Sequence, residues 1–159
     1  MKVLILYYSK GGNTRKLAEA IAQGVSQVDG VEAALRHTRD VTKDDFLTAD
    51  GLVVGSPVYF GTMAAQLKQV LDDFVSVRKR MENKVGAAFS TSGDASGGKE
   101  TTMMSIIQAL LIYGLIIVGD PMSATGHYGT ACVGAPDTSA LENGRKLGGR
   151  VAELVKRLT

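Results

Sequence analysis

The chain has 159 residues, 45% of them hydrophobic, enough for one domain around a single core. Eighteen Lys and Arg against sixteen Asp and Glu leave a net charge of +2. That is too small to argue for nucleic acid, and no basic track interrupts the sequence. A lone cysteine, Cys132, excludes an internal disulfide and points to a reducing, cytoplasmic compartment, while no apolar run is long enough for a signal peptide or a membrane span.

Apolar runs and helical patterns alternate along the chain. A first strand is expected over Lys2 to Tyr8, then a helix over Thr14 to Val28 with Leu17, Ala18, Ile21, Ala22 and Val25 on one face. A second strand covers Val31 to His37. Thr42-Lys43-Asp44-Asp45 reads as a cap leading into a short helix around Phe46. A third strand spans Asp50 to Ser56 and is expected to stop at Pro57. A helix follows over Met63 to Val77, with Arg78-Lys79-Arg80 at a helix C-terminus, where cations are favoured.

The fourth strand is Lys84 to Thr91, followed by a loop of small residues from Ser92 to Gly98 and a helix over Lys99 to Tyr113. Gly114 stands where a C-capping glycine belongs. A fifth strand is read over Leu115 to Gly119, a long loop over Asp120 to Pro136, and a last helix over Asp137 to Leu158. Gly144, Gly148 and Gly149 would each weaken that helix by about 1 kcal/mol relative to Ala, which argues for close packing on the sheet. Strict alternation of five strands with helices predicts an α/β fold: a five-stranded parallel sheet, doubly wound, in a three-layer sandwich.

Three strand-to-helix loops carry unusual chemistry, and in such a sheet all of them emerge at the carboxyl edge. The first, Ser9-Lys10-Gly11-Gly12-Asn13-Thr14, offers N–H and O–H donors at a helix start and no carboxylate, as a phosphate requires. The second, Pro57-Val58-Tyr59-Phe60-Gly61-Thr62, sets two aromatics beside a glycine, which suits a flat ring. The third, Thr91-Ser92-Gly93-Asp94-Ala95-Ser96-Gly97-Gly98, has a small polar backbone able to bond the edge of a heterocycle. A phosphate at one end and a planar heteroaromatic at the other describe a mononucleotide. Gly93 to Lys99 also fits the first seven positions of a nucleotide-triphosphatase loop, but Glu100 stands where that motif needs Ser or Thr to hold magnesium.

These loops, in this order, resemble the flavodoxin-like FMN proteins. Leu6-Tyr7-Tyr8-Ser9, Gly55-Ser56-Pro57-Val58-Tyr59-Phe60-Gly61 and Phe89-Ser90-Thr91-Ser92-Gly93 are most similar to the WrbA-type NAD(P)H:quinone oxidoreductases, as are Tyr128-Gly129 and Gly134-Ala135-Pro136-Asp137. The resemblance implies strand order 2-1-3-4-5 with FMN at the switch point. It implies that Ser9, Lys10, Gly11, Gly12, Asn13 and Thr14 hold the phosphate. Pro57, Val58, Tyr59, Phe60 and Gly61 would lie along the ring, and Thr91, Ser92, Gly93, Asp94 and Gly97 at its polar edge.

The long insertions of the WrbA type are missing here, and its ring-side histidine is replaced by Tyr113. The implied activity is two-electron reduction of quinones by NAD(P)H, with a homo-oligomer as a further implication. Tyr113 and His127 are the side chains considered for contact with the quinone. The rival reading is a flavodoxin that carries electrons between redox proteins. The slightly basic charge and the absence of Trp favour the enzyme.

Overall fold

Apolar runs with period two build the sheet, and amphipathic stretches cover its two faces. The computed structural model describes residues 1–159. In chain order the elements are β1 (Lys2–Tyr7), α1 (Asn13–Ser26), β2 (Glu32–His37), α2 (Lys43–Thr48), β3 (Gly51–Tyr59), β4 (Thr62–Met63) and α3 (Ala65–Asp73). A 3-10 helix (Val75–Arg80) leads to β5 (Val85–Ser92), α4 (Lys99–Ile112), β6 (Ile116–Ile117), β7 (Thr130–Val133) and α5 (Thr138–Leu158).

Alternation along β1 divides the core into two layers of contact. Leu4 and Leu6 face α2, α3 and α4 with Phe46, Leu67, Ile106 and Leu110. Val3 and Ile5 face α1 and α5 with Leu17, Ile21, Leu147 and Val151. The result is a three-layer α/β sandwich of the flavodoxin type. No helix is long and apolar enough to cross a membrane.

The path across the sheet is β2-β1-β3-β5-β6, not the expected 2-1-3-4-5. The difference arises because Thr62–Met63 occupies fourth place in the chain and pairs antiparallel with the end of β3, off the main path. The fifth position is also split. Ile116–Ile117 pairs with Val85–Gly86, the chain leaves the sheet, and Thr130–Val133 returns beside Phe89–Ser92. The segment read as one long loop therefore contains a strand.

Pro57 does not end β3, which continues to Tyr59. At Ser56 and Pro57, past the last pair with β1 and before the pairs with β4, β3 is paired with β5 alone, and such an edge position tolerates proline. Met63 belongs to β4, so α3 starts later than expected. It ends at Asp73, and a tighter turn carries Arg78, Lys79 and Arg80 in its last residues.

Two expected termini form as read. Thr42 and Asp45 make a reciprocal capping box at α2, and Asp137 caps α5 through the Ala140 N–H at 2.8 Å. The glycines of α5 pack on α1 rather than on the sheet. A Cβ at Gly148 would strike the backbone of Ile21, and one at Gly144 would sit 3.2 Å from Leu17. Gly24 of α1 meets the backbone of Arg145 in the same way.

Candidate functional site

The loops after β1, β3 and β5 emerge together at the carboxyl edge and are tied to one another by named bonds. Thr14, the second residue of α1, meets Thr91 of β5 through their hydroxyls at 2.8 Å, and Thr14 is only 2% exposed. Thr101 in the first turn of α4 donates its hydroxyl to the Gly61 carbonyl at 2.7 Å. Gly98 lies so close to Gly61 that a Cβ on it would come within 3.1 Å of the Gly61 Cα. Loops one and three, and loops two and three, are thus held in fixed relation.

Loop one ends in Gly12, whose φ of +91° opens α1 without a side-chain cap. Glycine takes this backbone conformation at little steric cost. By contrast, α2 and α5 are capped by Thr42 and Asp137. The first turn of α1 has no acid, so its N–H groups and the positive end of its dipole face outward unopposed. Ser9 Oγ accepts from the Gly12 N–H at 3.1 Å and keeps its own proton to donate.

Loop two is a β-hairpin turn. Phe60 (φ +50°) and Gly61 (φ +79°) both adopt positive φ between the paired Tyr59 and Thr62, the geometry of a two-residue I′ turn. For Phe60 that conformation costs about 1–2 kcal/mol, and its ring is fully exposed. Tyr59 packs edge-on against Tyr8 with ring centroids 6.1 Å apart, and burial raises its phenol pKa. Tyr59 and Phe60 also wall an apolar groove of about 690 Å³ that runs between the hairpin, α3 and α4 to Ile112. Ser56 Oγ accepts from the Ala64 N–H at 2.8 Å and anchors the returning strand.

Loop three is folded on Ser92. Its Oγ donates to the Asp94 carbonyl at 2.8 Å and accepts from the Asp94 N–H at 3.2 Å, and Gly97 lies against that oxygen too closely for any side chain. Lys99 Nζ turns back to the Ala95 carbonyl at 3.1 Å. Thr101, one residue past the magnesium position of a triphosphatase loop, has its hydroxyl bonded to the Gly61 and Gly98 carbonyls.

Whether this edge suits FMN is tested by what the backbone leaves open. A Cβ at Gly11, Gly12, Gly61 or Gly93 would meet nothing within 4 Å. Each of the three loops therefore presents bare backbone to one open rim, beside uncapped N–H groups for a phosphate. The residues present fit the group.

Of the two side chains considered for quinone contact, Tyr113 lies elsewhere. Tyr113 sits at the far end of α4, about 22 Å along the helix from Gly98 at 1.5 Å per residue. It is 5% exposed, packs on Phe46 and donates its hydroxyl to the Leu71 carbonyl at 2.6 Å. Burial pushes its pKa up to about 12. It is a core residue at the opposite edge of the sheet, which corrects the expectation of a hydrogen bond to substrate.

His127 lies in the excursion between β6 and β7, with its carbonyl against Gly119 and its ring near the buried Asp120. Cys132 is half-buried on β7, and burial pushes its thiol up to about 11. Sequence reasoning missed Thr101 and Ser56 as the residues that position loop two. Their signal was weak: a hydroxyl three residues after Gly98, and one immediately before Pro57.

The family of NADPH-dependent FMN reductases matches residues 41–130. A flavodoxin from Aquifex aeolicus is 38% identical over 160 residues, covering 97% of this chain and 86% of that protein. An NAD(P)H dehydrogenase (quinone) from Archaeoglobus fulgidus is 32% identical over 189 residues, covering 99% and 98%. Among solved structures, a flavodoxin, WrbA-like protein from Agrobacterium tumefaciens superposes with a TM-score of 0.87 over 99% of both chains at 22% identity, a likeness of fold.

Proposed function

Because the chain belongs to the NADPH-dependent FMN reductase family of flavodoxin-like proteins, we propose that it holds FMN at the three-loop edge and reduces quinones with NAD(P)H. FMN held there would supply the two-electron redox chemistry between NAD(P)H and a quinone. The chain's own residues bind and orient. Ser9, Lys10, Asn13 and the N–H groups at the start of α1 hold the phosphate. Thr14 fixes that loop to Thr91. Gly61 and Gly93 allow the ring to lie directly on backbone, and Ser92 shapes the turn that meets its polar edge.

The observation that carries the reading is the meeting of three open-faced loops at one rim, tied through Thr14–Thr91 and Thr101–Gly61. A second reading, a one-electron carrier between redox proteins, is favoured by the 38% identity to the Aquifex aeolicus flavodoxin. Anaerobic mixing of the FMN-loaded protein with NADH and NADPH separates the two. Bleaching of the flavin at enzyme-like rates, followed by reoxidation with a quinone, supports the reductase. Indifference to both nucleotides, with electron exchange to a redox protein, supports the carrier.

The near-neutral charge argues against nucleic acid as a partner, and the lone Cys132 supports a reducing compartment such as the cytoplasm. A homo-oligomer fits the uncharged outer flank of α4, where Met104, Leu111 and Ile112 are exposed.

A further inference from the structure

The groove of about 690 Å³ between the hairpin, α3 and α4 is a second concave surface, and it runs away from the rim rather than across it. Tyr59 and Phe60 stand at its rim end, and Met63, Ala65, Ala109 and Ile112 lay apolar surface along it. Thr101 is bonded to Gly61 at the rim, and α4 continues from there to Ile112, a run of about 16 Å at 1.5 Å per residue.

The groove asks for an occupant without hydrogen-bonding groups. Ser105 Oγ accepts from the Met63 N–H at 3.3 Å and donates to the Thr102 carbonyl at 2.7 Å. The Met63 N–H is therefore not free to bond an added strand. Lys68, the one charged residue of the lining, is held to Asp72 at 2.7 Å. The other polar side chains, Thr62, Gln66 and Gln108, are exposed. A hydrocarbon needs no partner from such walls, whereas the backbone of a peptide does. Met104 and Leu111 form a different stripe of α4 from Ser105, Ala109 and Ile112, so the flank open to a second copy is a separate face.

Phe60 joins the groove to the redox edge. It is the turn residue of loop two, with a φ of +50° that is uncommon for a bulky side chain, and its ring is fully exposed. A chain leaving the rim along the groove would cover that ring. We propose that the groove between the hairpin, α3 and α4 seats the apolar tail of an isoprenoid quinone whose ring is reduced at the three-loop edge. The site rests on the reductase reading and deepens it: Phe60, Ala65, Ala109 and Ile112 select long-tailed quinones over bare rings, and the run to Ile112 takes about three isoprenoid units.

The test uses oxidised, FMN-loaded protein without NAD(P)H, so it does not depend on turnover. Calorimetry compares 2,3-dimethoxy-5-methyl-1,4-benzoquinone carrying no side chain, one isoprenoid unit or two. Affinity is expected to rise roughly tenfold for each unit. Geraniol, a tail without a quinone, should compete with the two-unit quinone and leave the bare quinone unaffected. Ala65→Glu, in the first turn of α3 where an acid is tolerated, and Ile112→Glu, at an exposed position, put a charge on opposite walls. In each the gain per unit falls to about twofold or less, while binding of the bare quinone is unchanged. Equal affinities across the series, or the same gain in both variants, overturns the proposal, since the gain would then be general adhesion. So does a native chain that sediments as a dimer, shows no gain from the tail and becomes a monomer in Ile112→Glu, because a second copy would then fill the groove. A chain that reduces the bare quinone with NAD(P)H but fails the series loses only this site, whereas one that reduces no quinone loses the reductase reading.

Discussion

The hydroxyls of Thr14 and Thr91 meet at 2.8 Å across 77 residues of sequence, in a place almost closed to water. Removing one partner leaves the other buried and unsatisfied, at a cost of about 1–3 kcal/mol, whereas removing both is nearly neutral. Thr91→Val is therefore expected to lower unfolding stability and to weaken FMN binding, and Thr14→Val/Thr91→Val to recover most of the stability. Denaturant titration of the single and double variants, with FMN affinity by fluorescence quenching, measures both effects. A double variant no more stable than the single would show that the contact is not what holds the loops.

Thr101 holds the carbonyl of Gly61 from outside the hairpin. Thr101→Val should release the turn, cost about 1 kcal/mol, and shift the flavin midpoint potential because the peptide facing the rim is no longer fixed. Gly61→Ala meets no atom within 4 Å, so its cost of about 1–2 kcal/mol comes from the positive φ alone. Spectroelectrochemistry reads both variants, and unmoved potentials in both would remove loop two from the cofactor site.

Asp120 is buried with neither carboxylate oxygen bonded, and burial raises its pKa above the ordinary 3.8. The groups facing it are Arg150 and His127. A raised folded-state value means stability that is fully present below pH 3.8 and is lost as pH rises through the higher folded value. Asp120→Asn should accordingly be more stable than the native chain at pH 7, with the gap closing toward acid pH. Thermal melts across that range give the sign directly.

Gly148 lies against the Ile21 backbone where α1 and α5 cross. Gly148→Ala forces the helices apart and should cost about 1–3 kcal/mol. Its distance from the rim predicts unchanged FMN affinity for the folded fraction. A loss of affinity equal to that of the Thr91 variant would mean that the cradle depends on the whole α1 layer.

The sandwich and the three loops were legible because each strand announces itself by an apolar run and each loop by residues unsuited to helix or strand. What stayed hidden depended on partners remote in sequence. Nothing local marks Thr62–Met63 as a strand, since two residues carry no periodicity and only the Phe60-Gly61 turn folds them onto Val58 and Tyr59. Thr130–Val133 was obscured by the glycines around it, which are required by contacts of Gly126 with Asp120 and of Gly129 with Ala88. Tyr113 was misplaced because its neighbour Gly114 fixes where the helix ends but not which end of the sheet that is. Only the length of α4 sets that.

The divided edge of the sheet has a consequence for how the molecule breathes and varies. Ile116–Ile117 and Thr130–Val133 lie in separate halves of one ladder, with an excursion between them that α5 holds through Asn143, Lys146 and Arg150. Local opening of one half need not unzip the other, so amide exchange at Ile117 and at Ala131 should report different protection. Residues added to or trimmed from the excursion fall outside both registers. The chain can therefore change length at this border without moving the backbone of β5 that feeds the third loop.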